Sequence, residues 1–203
     1  MNVESVSASS SILTRLRTET RAQHDAIEAA LVELTSDGLD RDAYRRTLER
    51  FYGFYRPLEM GLWAVGGWGQ RDLDVTQRRK TPLLDADLRT LGLANPEDLP
   101  VCTELPPHAT VAAAFGCLYV LEGATLGGQV ISKLLRKGLG VSIDNGGRFF
   151  HGYGDRSGPM WHAFRASIMT FADTVAIQDE VVAAAKDTFL KMHCWITPQG
   201  DNR

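Results

Sequence analysis

The sequence predicts a nearly all-α, single-domain bundle of several helices. Two observations carry that prediction: apolar residues recur at helical spacing through most of the chain, and no segment shows sustained period-two alternation bounded by turns. A third sets the scale, since 203 residues with 44% hydrophobic content suffice for one substantial core. The helical domain is expected over residues 11–197, with residues 1–10 and 198–203, containing "SVSASS" and "PQGDNR", as loose termini.

A first helix is expected from about Ser11 to Thr35, stopping at Asp37-Gly38, and a second from Arg41 to Val65, ended by "GGWG". Pro57 is a candidate kink in the second. "TPLLDADLRTLG" predicts a short helix with Thr81 as N-cap and Pro82 at the first helical position, closing at Gly92. "ANPEDLPVCTELPPH" is expected to be a loop, and a long helix to cover Thr110 to Lys137. "GLGVSIDNGGRFFHGYGDRSG" is too rich in glycine to predict regular structure. Two final helices, Pro159–Ala172 and Gln178–Trp195, complete the set.

Composition excludes several functions. The net charge is −3, and basic residues are spread along the chain, so no nucleic-acid footprint is expected. The three cysteines, Cys102, Cys117 and Cys194, have no C-x-x-C spacing, which argues against a disulfide framework and a zinc site and for reduced thiols. No signal-peptide run opens the chain and no stretch of about 18 apolar residues occurs, so a cytoplasmic protein with no membrane partner is expected.

On a helical wheel Leu13, Leu16, Thr20, Ile27, Leu31 and Leu34 form one stripe, and Arg17, Arg21 and Glu28 a charged row beside it. His24 lies on the border. A border histidine is more often a hydrogen-bonded core residue than a ligand, but Glu28, one turn on, is placed to accept its Nδ1 proton and leave Nε2 for a metal. Arg17 and Arg21 would then pair with a ligand's carboxylates. An exposed i,i+4 charge network explains this helix equally well.

"LYVLEGATLGGQVISK" sets Gly123, Gly127 and Gly128 inside a helix, with Gly116 earlier in the same helix. Each costs about 1 kcal/mol relative to alanine there. Gly123 and Gly127 share a face. Tight helix-on-helix packing is one explanation; a planar cofactor pressed against bare main chain is the other. His108, His151, His162 and His193 show no ligand spacing, and Trp63, Trp68, Trp161 and Trp195 are expected to serve packing.

"LRTETRAQHDAIE", followed about a hundred residues later by "YVLEGATLGGQ", resembles the heme oxygenase family in its bacterial, biliverdin-producing branch. "RRKTPLLDADLRTLG" is similar to the family's middle segment, "FFHGYG" to the turn after its distal helix, and "FRASIM" with "VVAAAKDTFLKMHCWI" to its last two helices. The resemblance spans roughly residues 12–197. It implies a slot between the first helix and the glycine-containing distal helix, with His24 as proximal iron ligand and Glu28 as that histidine's partner. Gly123, Gly127 and Gly128 would lie over the iron, the first two in the catalytic role. Arg17, Arg21 and Arg165 would sit near the heme propionates, with Tyr119 and Lys133 as further candidates. Phe164 and Phe189 would line the pocket or fill the core, with core favoured for Phe189.

The implied reaction uses heme as both cofactor and substrate. O2 and an external reductant convert it to biliverdin, carbon monoxide and ferrous iron. A ferredoxin or reductase is implied as electron donor, and a bilin-binding photoreceptor as product acceptor. Many family members carry an aspartate after the first distal glycine to order the water network, where this chain has Ala124; bacterial relatives with the "EG" form also lack it. A non-catalytic heme carrier or sensor is the alternative. Glu122 points about 100° from Gly123 around the helix and is not expected to be a catalytic acid.

Overall fold

The computed structural model describes residues 11–32, 38–71 and 73–197, and over these it is helical without a strand. The principal helices are α1 (Ile12–Glu19), α2 (Arg21–Ala30), α3 (Arg41–Ala64), α4 (Thr81–Thr90), α5 (Val111–Leu139), α6 (Arg148–His151), α7 (Ser157–Phe171) and α8 (Val175–Ile196). The expected single first helix is divided at Thr20, whose hydroxyl donates to the Leu16 carbonyl at 2.7 Å. Such back-bonding bends a helix. Thr20 is both the end of α1 and the start of α2. Residues 33–37, where that helix was expected to end, lie outside the described residues.

α3 runs through Pro57. Proline has no N–H for the carbonyl four residues earlier, and here that carbonyl, on Gly53, accepts from the Cys102 amide at 2.9 Å. The loop approaches closely because residue 53 has no side chain: an added Cβ would lie 2.5 Å from the Pro100 carbonyl oxygen. Two carboxylates then set the helices that follow. Glu59 accepts from the Thr81 amide at 3.1 Å and the Thr81 hydroxyl at 2.6 Å, as well as from the Lys80 amide. α4 therefore begins one residue earlier than expected, with Lys80 at the N-cap and the capping carboxylate supplied by α3. Asp87 accepts from the amides of Arg148 (2.9 Å) and Phe149 (2.8 Å). That long-range cap organises α6 inside the stretch expected to be irregular, and buries Phe149 and Phe150 against Phe51 and Tyr55 of α3.

α5 is the central helix. Thr110 caps it by accepting from the Ala113 amide at 3.1 Å, and Gly140 ends it in the left-handed region at φ 65°. Its hydropathy would suit a bilayer, but 67% of its most apolar window is buried within the protein. Both α2 and α5 pack on α8. The α5–α8 approach is close at Gly116, where a Cβ would strike the Val181 carbonyl and lie 2.8 Å from the Ala184 Cβ. Gly116→Ala is therefore expected to destabilise the protein by about 1–3 kcal/mol through overpacking, measured as a shift in the urea midpoint. An unchanged midpoint would show that the helix spacing is set elsewhere.

Candidate functional site

Because α2 and α5 each rest on α8, a space remains between them. It forms a cavity of about 590 Å³, within the range of small-molecule sites. His24, Ile27 and Glu28 line it from α2 with Leu31 at that helix's C-cap, Gly123, Ala124, Gly127 and Gly128 from α5, and Phe189 and Met192 from α8. The glycines divide into two kinds. An added Cβ at Gly128 would come 3.1 Å from the Phe150 carbonyl, so Gly128, like Gly116, allows a neighbouring backbone to approach. At Gly123 and Gly127 a Cβ would meet nothing within 4 Å among the described residues. Packing within the protein therefore does not require glycine at those two positions, and they leave one wall of the slot as bare main chain.

His24 presents an imidazole to the same slot, with its side chain 52% exposed and its ring edge-on to Phe189 at 5.9 Å. Nδ1 lies 3.8 Å from a carboxylate oxygen of Glu28 and 3.8 Å from one of Asp25. Those separations exceed a direct hydrogen bond and suit a bridging water. A histidine whose Nδ1 is turned to carboxylates has Nε2 available as a ligand. The donor set, the apolar floor and the bare α5 wall together fit a flat, metal-centred macrocycle.

A second group of polar side chains is buried beside the slot. Arg78 and Lys80, 4% and 1% exposed, both pair with Glu122, itself 1% exposed. The Tyr153 hydroxyl donates to Glu122 at 2.6 Å and accepts from Lys80. Burial pushes the Lys80 ammonium below its usual pKa, an effect that Glu122 opposes. Burial likewise raises Glu59 and Tyr153 above their ordinary values. Breaking one member of such a network leaves an uncompensated buried charge.

The heme oxygenase family profile matches residues 10–197. A heme oxygenase of Xanthomonas campestris pv. campestris is 33% identical over 162 residues, which cover 76% of this chain and 89% of that protein. The chain belongs to the heme oxygenase family. Solved structures agree on the fold. The NO- and CO-bound heme oxygenase of Neisseria meningitidis superposes with a TM-score of 0.78 at 19% identity, covering 94% of this chain and 98% of that one. The heme complex of a Synechocystis heme oxygenase gives 0.75 at 16% identity, covering 92% and 90%.

Of the residues singled out in this chain from sequence, His24, Glu28, Tyr119, Gly123, Gly127 and Gly128 line the one slot. Arg17, Arg21, Lys133 and Arg165 are exposed and lie outside its lining, Arg21 at 3.9 Å from Asp25. Of the two phenylalanines, Phe189 is buried in the core as favoured and also faces the slot, and Phe164 fills the core alone. Phe164 packs against Phe115 and Trp161. Trp161, expected only to pack, also lines it. Sequence reasoning missed Asp25, Lys80, Tyr55 and the Arg78–Glu122–Tyr153 group; the sequence signal was the isolated glutamate on an apolar helix, which must find a partner if buried.

Gly123→Ala and Gly127→Ala are each expected to raise the stability of the ligand-free protein by about 1 kcal/mol, since the methyl meets open space and alanine favours the helix. Chemical denaturation measures this, and a loss of stability would mean that these glycines serve packing.

Proposed function

We propose that this member of the family cleaves heme to biliverdin with release of carbon monoxide and ferrous iron, using O2 and electrons from an external donor such as a ferredoxin or reductase. The observation that carries the reading is the slot itself. An imidazole on α2 and two α5 glycines line it, and among the described residues no group occupies the space where side chains at Gly123 and Gly127 would be. When bound, heme supplies both the iron at which oxygen is reduced and the carbon framework that is cleaved.

The chain's own residues position that chemistry. His24 offers a neutral nitrogen ligand, without the electron push of a thiolate. No cysteine is in the slot lining, and burial pushes the Cys117 thiol up to about 12, which keeps it protonated. Gly123 and Gly127 leave room for a small gas on the α5 side, and the helix main chain limits the direction in which it tilts. Glu28 and Asp25, each 3.8 Å from Nδ1, orient the ring through bridging water. Arg17, Arg21, Lys133 and Arg165 meet the carboxylates at the solvent edge, with Tyr119 beside them, and so fix the rotation of the ring and the bridge that is attacked.

Heme titration followed by reduction under oxygen, with chromatography of the pigment, tests the reading. A Soret band that persists unchanged would instead indicate a carrier or sensor. His24→Ala is expected to abolish the axial-histidine spectrum and most turnover; wild-type levels of both would overturn the ligand assignment. Gly127→Leu is expected to block oxygen or heme, and unchanged turnover in that variant would count against the α5 wall.

A further inference from the structure

The outer face of α5 continues past the slot. Leu126 and Val130 line the slot and are also exposed, Val130 at 61%; Leu134, one turn further on, is exposed and lies outside the slot lining. Spaced four residues apart, the three form one apolar stripe running from the slot mouth toward the helix C-terminus. Lys133, Arg136 and Lys137 flank the stripe, all exposed and without an ion pair among the described residues. α5 carries no carboxylate after Glu122. Across the slot mouth the charges on α2 are mixed: Arg21 lies 3.9 Å from Asp25, and Glu28 is beside His24. Basic residues in a last turn offset the helix dipole, which accounts for Arg136 and Lys137 but not for an apolar stripe exposed between cations. An apolar strip rimmed by charge of one sign has the composition of a protein-docking surface. We propose that the exposed face of α5 from Leu126 to Lys137 is the docking site of the electron donor, a small redox protein with an acidic face.

The inference rests on the heme-cleaving reading, which requires electrons to enter the slot. Three features favour such a partner. Unpaired charge of a single sign steers an oppositely charged protein to its site and sets its register there. Leu126 and Val130 belong to both the slot lining and the stripe, so a partner seated on the stripe touches the slot mouth. Lys137 is seven residues beyond Val130, about 10 Å along the helix axis, and the whole patch therefore fits beneath one face of a small protein. α5 is also held in place by its contact with α8 at Gly116 and by the Arg78–Glu122 pair, so the stripe is presented without reorganisation. A second copy of this chain fits the surface less well, because it would bring the basic rim against another of like charge. At each docking the donor's reduced iron–sulfur cluster gives up one electron to the iron held in the slot and is itself oxidised. No atom passes between the two proteins.

Two measurements with an acidic 2Fe–2S ferredoxin test the proposal. Added to the isotope-labelled full chain at low salt, the ferredoxin is expected to shift and broaden the amide signals of residues 126–137, and about 0.3 M salt is expected to reverse the effect. Changes confined to other helices would overturn the proposal. In the heme-loaded protein, Arg136→Gln combined with Lys137→Gln, and separately Leu134→Ser, are each expected to raise the ferredoxin concentration for half-maximal turnover about tenfold. Turnover driven by ascorbate, which needs no docking, is expected to stay at the wild-type rate. A wild-type dependence on ferredoxin in both variants would overturn the docking site. So would a dimer that Leu134→Ser converts to a monomer, which would make the stripe a self-association surface. Binding to phosphatidylglycerol vesicles through these residues, with no response to ferredoxin, would make it a membrane contact and overturn the proposal too. Failure of the wild-type protein to degrade heme even with ascorbate would instead overturn the heme-cleaving reading, so the two failures are distinguishable.

Discussion

A helix can leave one face bare only if its other faces hold it firmly, and that constraint governs α5. On one side it lies so close to α8 that residue 116 cannot carry a Cβ. On another, Glu122 is locked by Arg78, Lys80 and Tyr153 in the interior, where removing any partner is costly. A third contact sets Gly128 against the Phe150 carbonyl. With those anchors in place, the main chain at Gly123 and Gly127 can face an unfilled slot without the helix sliding inward to close it. α8 completes the arrangement by supporting α2 as well, which keeps His24 at a fixed distance across the gap.

This explains the uneven use of glycine in α5. Each glycine weakens the helix by a similar amount, but for different reasons. Gly116 and Gly128 serve contact between elements of the protein, whereas a Cβ at Gly123 or Gly127 would meet nothing within 4 Å among the described residues. Sequence left both explanations open for the group as a whole, since spacing alone gives only the face on which a glycine lies. Distance to the neighbouring backbone separates them.

Much of the fold was legible because amphipathic periodicity is local. The bounds of α3 and α5 differ from expectation by no more than two residues, and Thr110 caps where its side chain suggested. What was not legible depends on partners distant in sequence. The start of α4 is set by Glu59, twenty-one residues before Lys80, and α6 by Asp87, sixty-one residues before Arg148. Neither carboxylate differs in its local pattern from a solvated one. The slot's imidazole, glycines and Glu28 were visible as motifs, but its floor was not, because Phe189 and Phe164 have the same residue type on similarly apolar helices, and only tertiary packing decides which meets the slot. The Arg78–Lys80–Glu122 group was hidden for the same reason: "RRK" looks like a solvated basic run until Glu122 draws two of its members inside.

The central claim is that the bare α5 wall lies flat against a bound porphyrin. The most direct measurement is the NMR spectrum of the protein with diamagnetic zinc protoporphyrin, whose ring current shifts nearby protons upfield. The account expects the largest shifts at the Gly123 and Gly127 protons and at the Phe189 ring, and small ones at Gly116, which is packed on α8. A bound porphyrin that leaves Gly123 and Gly127 unshifted while moving protons elsewhere, such as those of Trp68, would contradict it.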